Sequence, residues 1–274
     1  MALYGADSSI LLADPQNCLL DSMGRATVKG KTPILLEGIM LDPPAKFVTD
    51  VAQMSQQYIE KNQPIMIIYL DGFGYDSYQE AEDKGLIPFM SSLKSEKAAT
   101  VYPSITPVAF AAMVSGQAPN ITGIKSRNDH LLYCSTIFDM ALSKGLKTFI
   151  AEGDIQIINL SGDIGFNTDQ DSDGSTDNEV LASAKQGMDV DLLLIRFHGI
   201  DDTSHKFAPH SKEALAVIAK TDKMVQELCG LWDGYVIVVA DHGQHQVVED
   251  GKKGNHGEFW SSDMFIPLLT REAI

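Results

Sequence analysis

Cysteine is scarce in this chain, at 3 of 274 residues. Cys18, Cys134 and Cys229 are odd in number, widely spaced and form no CxxC pair. That excludes a disulfide framework and reads as three free thiols in a reducing compartment. Positive charge is also in short supply. Lys and Arg total 21 against 37 Asp and Glu, for a net charge of −16. A surface of that sign repels phosphate backbones, so neither a nucleic-acid polymer nor an anionic membrane is the expected partner. It does not exclude a small anion held by a metal ion, which brings its own positive charge. No apolar run approaches the ~18–20 residues of a membrane span. The first twenty residues, MALYGADSSILLADPQNCLL, lack a basic start and contain Asp7 and Asp14, so they do not read as a signal peptide. The expectation is a cytoplasmic protein.

What is present is ordinary globular composition, 44% hydrophobic and 21% charged, without repeats or low-complexity tracts. Residues 1–45 are rich in Gly, Asp and Pro, with short apolar runs at Ile10–Ala13 and Ile34–Leu36 that suggest small strands and turns. The stretch Ala45–Glu60 has helical periodicity. Beyond it, apolar segments alternate with helical ones. Strands are expected at Ile65–Leu70, Ala99–Tyr102, Lys147–Ala151, Asp191–Phe197 (read as fully apolar) and Tyr235–Ala240. Helices are expected at Thr106–Ser115, Thr136–Lys144, Asn178–Gln186 and Ser211–Leu231. Thr106 and Pro107 read as an N-cap followed by proline at the first helical position. Continuous apolar strands separated by helices are the pattern of a mostly parallel sheet sandwiched between helices, an α/β fold. We expect one domain over 1–274, with residues 1–60 packed on it.

The polar residues with chemical potential gather where strands end. Asp71 follows IMIIYL, Asp201 follows DLLLIRFHGI, and Asp241-His242 follows YVIVVA. In open α/β sheets ligands sit beyond the carboxyl ends of the strands, so these carboxylates converge on one crevice. Asp201 and His205, four apart, face the same way on a helical turn. His256 lies in a Gly-rich loop. Six mixed Asp and His ligands without a thiolate suit Zn²⁺, Mn²⁺ or Fe²⁺ better than Ca²⁺. They exceed one tetrahedral zinc and fit two metals ~3.5–4 Å apart. The hydroxyl of Thr106, at a helix start, is either a nucleophile favoured by the helix dipole and a metal, or only a cap.

The segments YLDGFGYD, ATVYPSITPVAFAAMVSGQAPNITGI, DDTSHKFAP, VVADHG and NHGE together resemble the alkaline phosphatase superfamily. They are most similar to its type I phosphodiesterase/nucleotide pyrophosphatase branch, to which phosphonoacetate hydrolases also belong. The resemblance runs from about Ile65 to Glu258. It implies an alkaline phosphatase-like sheet and two divalent metals, zinc at both sites in family terms. One would be held by Asp71, Asp241 and His242 with Thr106 as nucleophile, the other by Asp201, His205 and His256. It implies hydrolysis of a phosphodiester or pyrophosphate through a phospho-threonine intermediate, on a small phosphoester substrate. Lys125, Arg127, Asn128 and Lys206 flank the motifs as candidate substrate-binding residues.

The chain also departs from the family. Ala109 stands where nucleotide-hydrolysing members carry an Asn, and the segment from Gly123 to Asp201 is short, which counts against a nucleotide. Residues 107–116 hold no charged side chain, which favours a singly charged diester over a dianionic monoester. The alternatives are a phosphonate hydrolase or phosphomonoesterase of the same superfamily, and a catalytically silent, metal-stabilised binding protein. The sequence Asp169-Gln170-Asp171-Ser172-Asp173-Gly174 resembles half of an EF-hand loop, but Val180 stands where a bidentate Glu is required, so it reads as a solvated acidic loop. Asp177 reads as the cap of the helix after it. Of the remaining histidines, His245 reads as a supporting or substrate contact and His198 as a core or supporting residue. His130 and His210 read as surface residues.

Overall fold

The computed structural model describes residues 44–249 and 251–274, with the backbone of three short strands before them. Those strands, β1 (Cys18–Leu20), β2 (Arg25–Val28) and β3 (Ile34–Leu35), pair antiparallel in that order. The run Ile10–Ala13 lies outside the described residues. An eight-stranded sheet follows from β4 (Lys46–Phe47), β5 (Ile65–Leu70), β6 (Lys94–Ala99), β7 (Thr148–Glu152), β8 (Asp163–Phe166), β9 (Leu192–Phe197), β10 (Tyr235–Ala240) and β13 (Phe265–Arg271). A hairpin of β11 (His245–Glu249) and β12 (Lys252–Asn255) stands apart from it. The strand order is β4-β6-β13-β10-β5-β9-β7-β8. All neighbours are parallel except β13, which is antiparallel to both β6 and β10.

Strands β5, β9 and β10 are buried along their whole length because helices cover both faces of the sheet. The helices are α1 (Asp50–Glu60), α2 (Tyr75–Asp83), α3 (Thr106–Ser115), α4 (Pro119–Thr122), α5 (Ile137–Ser143), α6 (Asp177–Gln186), α7 (Gly199–Phe207), α8 (Lys212–Leu231) and α9 (Ser261–Met264). They fall into two contacting groups, α1–α3–α5 and α2–α6–α7–α8, with the sheet between them. Helix α3 is buried from Thr106 to Val114, which is why its sequence is apolar all round rather than on one stripe. Ile67, at the centre of β5, is fully buried, and truncation of such a side chain to Ala costs about 2–5 kcal/mol.

Four expectations need correction. The strand expected at Ala99–Tyr102 shares only Ala99 with the observed strand β6, which runs from Lys94 to Ala99. Its first half is polar and largely exposed because its neighbour β4 has only two residues and leaves it almost an edge. The helix expected from Ala45 begins at Asp50, after β4 pairs with the end of β6. Thr106 is not a side-chain cap: Ile105 occupies the N-cap position and Thr106 is the first helical residue. Asp177 is likewise inside α6, and the backbone it satisfies belongs to α7.

Candidate metal centre

The parallel strands deliver the carboxylates to one end of the sheet. Asp71 and Asp241 are the residues immediately after β5 and β10, which are adjacent and in register from Ile65–Tyr235 to Leu70–Ala240. Gly72 turns the chain with a φ of +72°, and a Cβ there would lie 2.8 Å from the Asp201 carboxylate. The glycine thus lets the β5 turn approach α7 closely, while its N–H donates to Asp241 Oδ1 at 3.1 Å. Asp201 sits in the first turn of α7, with His205 one turn later. The start of α7 is fixed by buried Asp177, which accepts the N–H of His198 at 2.8 Å and of Gly199 at 3.1 Å. His256 follows β12 directly.

Two groups of donor atoms result, each within 4.8 Å of one another: Asp71, Asp241 and His242, and Asp201, His242 and His256. All five residues are buried. His242 Nε2 lies 3.5 Å from Asp71 Oδ1 and 3.2 Å from Asp241 Oδ2. The His242 ring stacks on His256 with centroids 3.7 Å apart. His205 Nε2 lies 3.4 Å from Asp201 Oδ2, and its ring is 5.1 Å from that of His256. The Thr106 hydroxyl is 3.2 Å from His242 Nε2, so α3 points its first residue into the cluster. Five of the six expected ligands therefore form the two groups, with His242 in both; His205 lies outside them, beside Asp201.

The donors fit divalent cations. Asp71 Oδ1 is buried without a hydrogen-bond partner. Three imidazoles each direct Nδ1 at a main-chain carbonyl: His242 at Gly243, His256 at Ser104 and His205 at Gly254, at 3.0, 2.9 and 2.8 Å. A carbonyl only accepts, so Nδ1 carries the hydrogen and Nε2 is turned toward the carboxylates as a donor atom for metal. Burial, and then the adjacent Asp71 carboxylate, push the Asp241 carboxyl up to about 7. Burial, and then His242, push His256 well below its ordinary value, toward the neutral form a metal requires.

A supporting tier underlies these groups. Tyr69 donates its hydroxyl to Asp241 Oδ2 at 2.8 Å, and Gln244 donates to Asp201 Oδ1 at 2.5 Å. Arg196 donates to Asp71 and to Glu152. Sequence reasoning missed this tier and described β9 as fully apolar. The available signals were an Arg inside DLLLIRF and a Tyr inside IMIIYL.

Of the four candidate substrate residues, Arg127 reaches the cluster, with Nη2 3.2 Å from His256 Nε2. Lys125 and Asn128 are exposed on the same loop, and the Lys206 ammonium lies 5.2 Å from the Phe207 ring centre. His198 pairs with Asp202 at 3.2 Å and His245 with buried Asp263 at 2.8 Å. His130 meets the Ile157 carbonyl at 2.7 Å, and His210 meets Glu80 and Asp76. In the acidic loop, Asp169 accepts the N–H groups of Ser172 and Gly174, and Asn178 bridges Asp171 and Asp173, so these carboxylates organise their own exposed turn.

A family model described as type I phosphodiesterase / nucleotide pyrophosphatase matches residues 147–267. That segment contains Asp201, His205, Asp241, His242 and His256, whereas Asp71 and Thr106 precede it. No curated protein sequence matches the chain. Among solved structures, human ectonucleotide pyrophosphatase / phosphodiesterase 5 aligns with a TM-score of 0.60 at 13% identity, over 77% of this chain and 88% of that one. Phosphonoacetate hydrolase from Sinorhizobium meliloti 1021, in complex with phosphonoformate, aligns with a TM-score of 0.53 at 20% identity, over 67% of this chain and 57% of that one. The murine ectonucleotide pyrophosphatase / phosphodiesterase 5 gives 0.56 at 17% identity, over 69% and 59%. The chain thus spans under two thirds of the bacterial and murine proteins. Residues 147–267 thus carry the pattern of the type I phosphodiesterase / nucleotide pyrophosphatase model, and the α/β fold of the chain is similar to that of these solved structures.

Proposed function

We propose that this chain hydrolyses a small phosphoester, a phosphodiester or pyrophosphate first, with two divalent metal ions and Thr106 as nucleophile. The observation that carries the reading is the Thr106 hydroxyl, 3.2 Å from an imidazole that belongs to both groups of buried donors. Asp71, Asp241 and His242 would hold one cation beside Thr106, and Asp201, His205 and His256 the other. Zinc suits this donor set, as do Mn²⁺ and Fe²⁺. When bound, such ions supply Lewis acidity for the entering and leaving oxygens.

The chain's own residues do the rest. Helix α3 aims the Thr106 oxygen into the cluster, and the helix N-terminus there favours the anionic reactant. Thr106 Oγ1 forms its bond to phosphorus as the bond from phosphorus to the leaving oxygen breaks; the Oγ1 proton passes to solvent water, and the leaving oxygen takes up a proton from solvent. This yields a phospho-threonine and an alcohol or phosphate leaving group. Water then cleaves the Thr106–phosphate ester and returns the hydroxyl. Buried Tyr69, Gln244 and the three main-chain carbonyls keep the ligands oriented through both steps.

A second reading, hydrolysis of a phosphonate or a phosphomonoester, is favoured by Arg127. Its guanidinium is a cation at the cluster that a doubly charged substrate would use. The test is turnover by the metal-loaded protein of bis(p-nitrophenyl) phosphate, p-nitrophenyl phosphate and phosphonoacetate, compared by kcat/KM. Preference for the diester supports the first reading. Preference for either of the others supports the second. Turnover of none, with both metals bound, overturns the hydrolase reading.

A further inference from the structure

Strand β9 places one charged residue in the middle of the sheet. Arg196 is 3% exposed, and a buried guanidinium is costly unless fully paired. All its hydrogen bonds go to carboxylates: Nε and Nη2 donate to Asp71 Oδ2 at 3.1 and 2.5 Å, and Nη1 donates to Glu152 Oε1 at 2.7 Å. Glu152 is itself buried at the end of the neighbouring strand β7.

The guanidinium meets Asp71 through one oxygen only. A planar guanidinium matches a carboxylate fork to fork, one N–H on each oxygen. Here both nitrogens converge on Oδ2, and Oδ1 is left buried, without a partner, 3.5 Å from His242 Nε2. A fork-to-fork pairing would occupy both oxygens, whereas this one leaves Oδ1 open toward His242. The register of β5 and β9 sets Arg196 directly across from Tyr69. Tyr69 in turn holds Asp241 through its Oδ2, so two adjacent residues of the sheet each secure one carboxylate of the same donor group.

We propose that Arg196, anchored by Glu152, is a positioning residue for the metal beside Thr106: it commits Asp71 Oδ2 to the protein and presents Oδ1 as a one-atom donor. This rests on the two-metal reading above. A compact ammonium at position 196 keeps the charge but loses the planar fork, so Asp71 Oδ2 loses its two-point hold and keeps only His198 Nε2 nearby, at 3.7 Å.

The experiment is a zinc titration of metal-free protein against a chromophoric chelator, for wild type, Arg196→Lys, Arg196→Met and Glu152→Gln, with circular dichroism of each. Wild type is expected to bind two zinc ions. Arg196→Lys is expected to weaken one of the two by about 10–100-fold, the usual effect of losing an outer partner of a metal ligand, and to leave the other unchanged. Glu152→Gln, which keeps an acceptor for Nη1, is expected to weaken the same ion by less. Arg196→Met leaves two buried carboxylates unpaired. If it does not fold, Arg196→Lys and Glu152→Gln decide the matter. Two wild-type affinities in folded Arg196→Lys overturn the proposal while leaving the two-metal reading intact. A wild-type protein that binds no zinc overturns that reading itself, and this inference with it.

Discussion

Replacement of Thr106 by Ala separates chemistry from folding, and the structure sets the size of both effects. Thr106 is the first residue of α3 but caps nothing, since the N-cap position is Ile105 and no side chain bonds the helix start. The change removes one hydrogen bond, to His242, worth about 0.5–1.5 kcal/mol net. It also removes one largely buried methyl, worth about 0.8 kcal/mol. The expected loss of stability is therefore about 1–2 kcal/mol, a fall in Tm of a few degrees for a chain of this size. The expected fall in kcat is at least ~10³-fold, about 4 kcal/mol of barrier, because the covalent route needs the hydroxyl. Thr106→Ser keeps a hydroxyl and is expected to retain part of the activity. The assays are calorimetry, steady-state kinetics on bis(p-nitrophenyl) phosphate, and acid-quench detection of phosphoprotein. Near wild-type turnover in Thr106→Ala would refute the reasoning and make water the direct nucleophile.

Other outcomes follow from the same geometry. Gly243→Ala drives a Cβ into the Ser262 carbonyl oxygen and toward Gly74, so it is expected to displace His242 and abolish metal binding at that group. Unaltered zinc stoichiometry in this variant would contradict the packing described. His210 is hydrogen-bonded to Asp76 and Glu80, which raise it to about 9 from an ordinary 6.5. A raised folded value means the contribution to stability is complete below pH 6.5 and is lost as pH rises through about 9. His210 is 42% exposed, so the effect is small, about 0.5 kcal/mol after solvent screening. An NMR titration midpoint for His210 near 6.5 would contradict it.

The sequence exposed the parts of this fold that obey simple periodicity. YVIVVA and IMIIYL are buried on both faces and read as strands from composition alone, and the Asp after each follows from strand ends opening on one crevice. Helix α2 was missed because YDSYQEAED buries only Ser77, Tyr78 and Ala81, too few for an apolar stripe. Strand β13 was missed because Pro267 in its interior argues against a strand by sequence, although the strand runs through it, and because an antiparallel strand does not follow the alternating pattern of its neighbours. The supporting tier was hidden for another reason. Arg196 meets Asp71 across 125 positions and Glu152 across 44, and no local pattern predicts a pairing set by β-sheet register. The acceptors that orient the histidines are main-chain carbonyls, which every residue has and no sequence advertises.

Metal content tests the central claim most directly. Elemental analysis of the purified 274-residue chain, before and after chelation by EDTA and again after return of zinc, counts the ions that the buried donors hold. Two groups of donors sharing His242 predict close to two divalent ions per chain, loss of both ions and of phosphoester turnover after EDTA, and recovery of both with zinc. A chain that holds no divalent metal, or that turns over phosphoesters undiminished once stripped, would contradict the account.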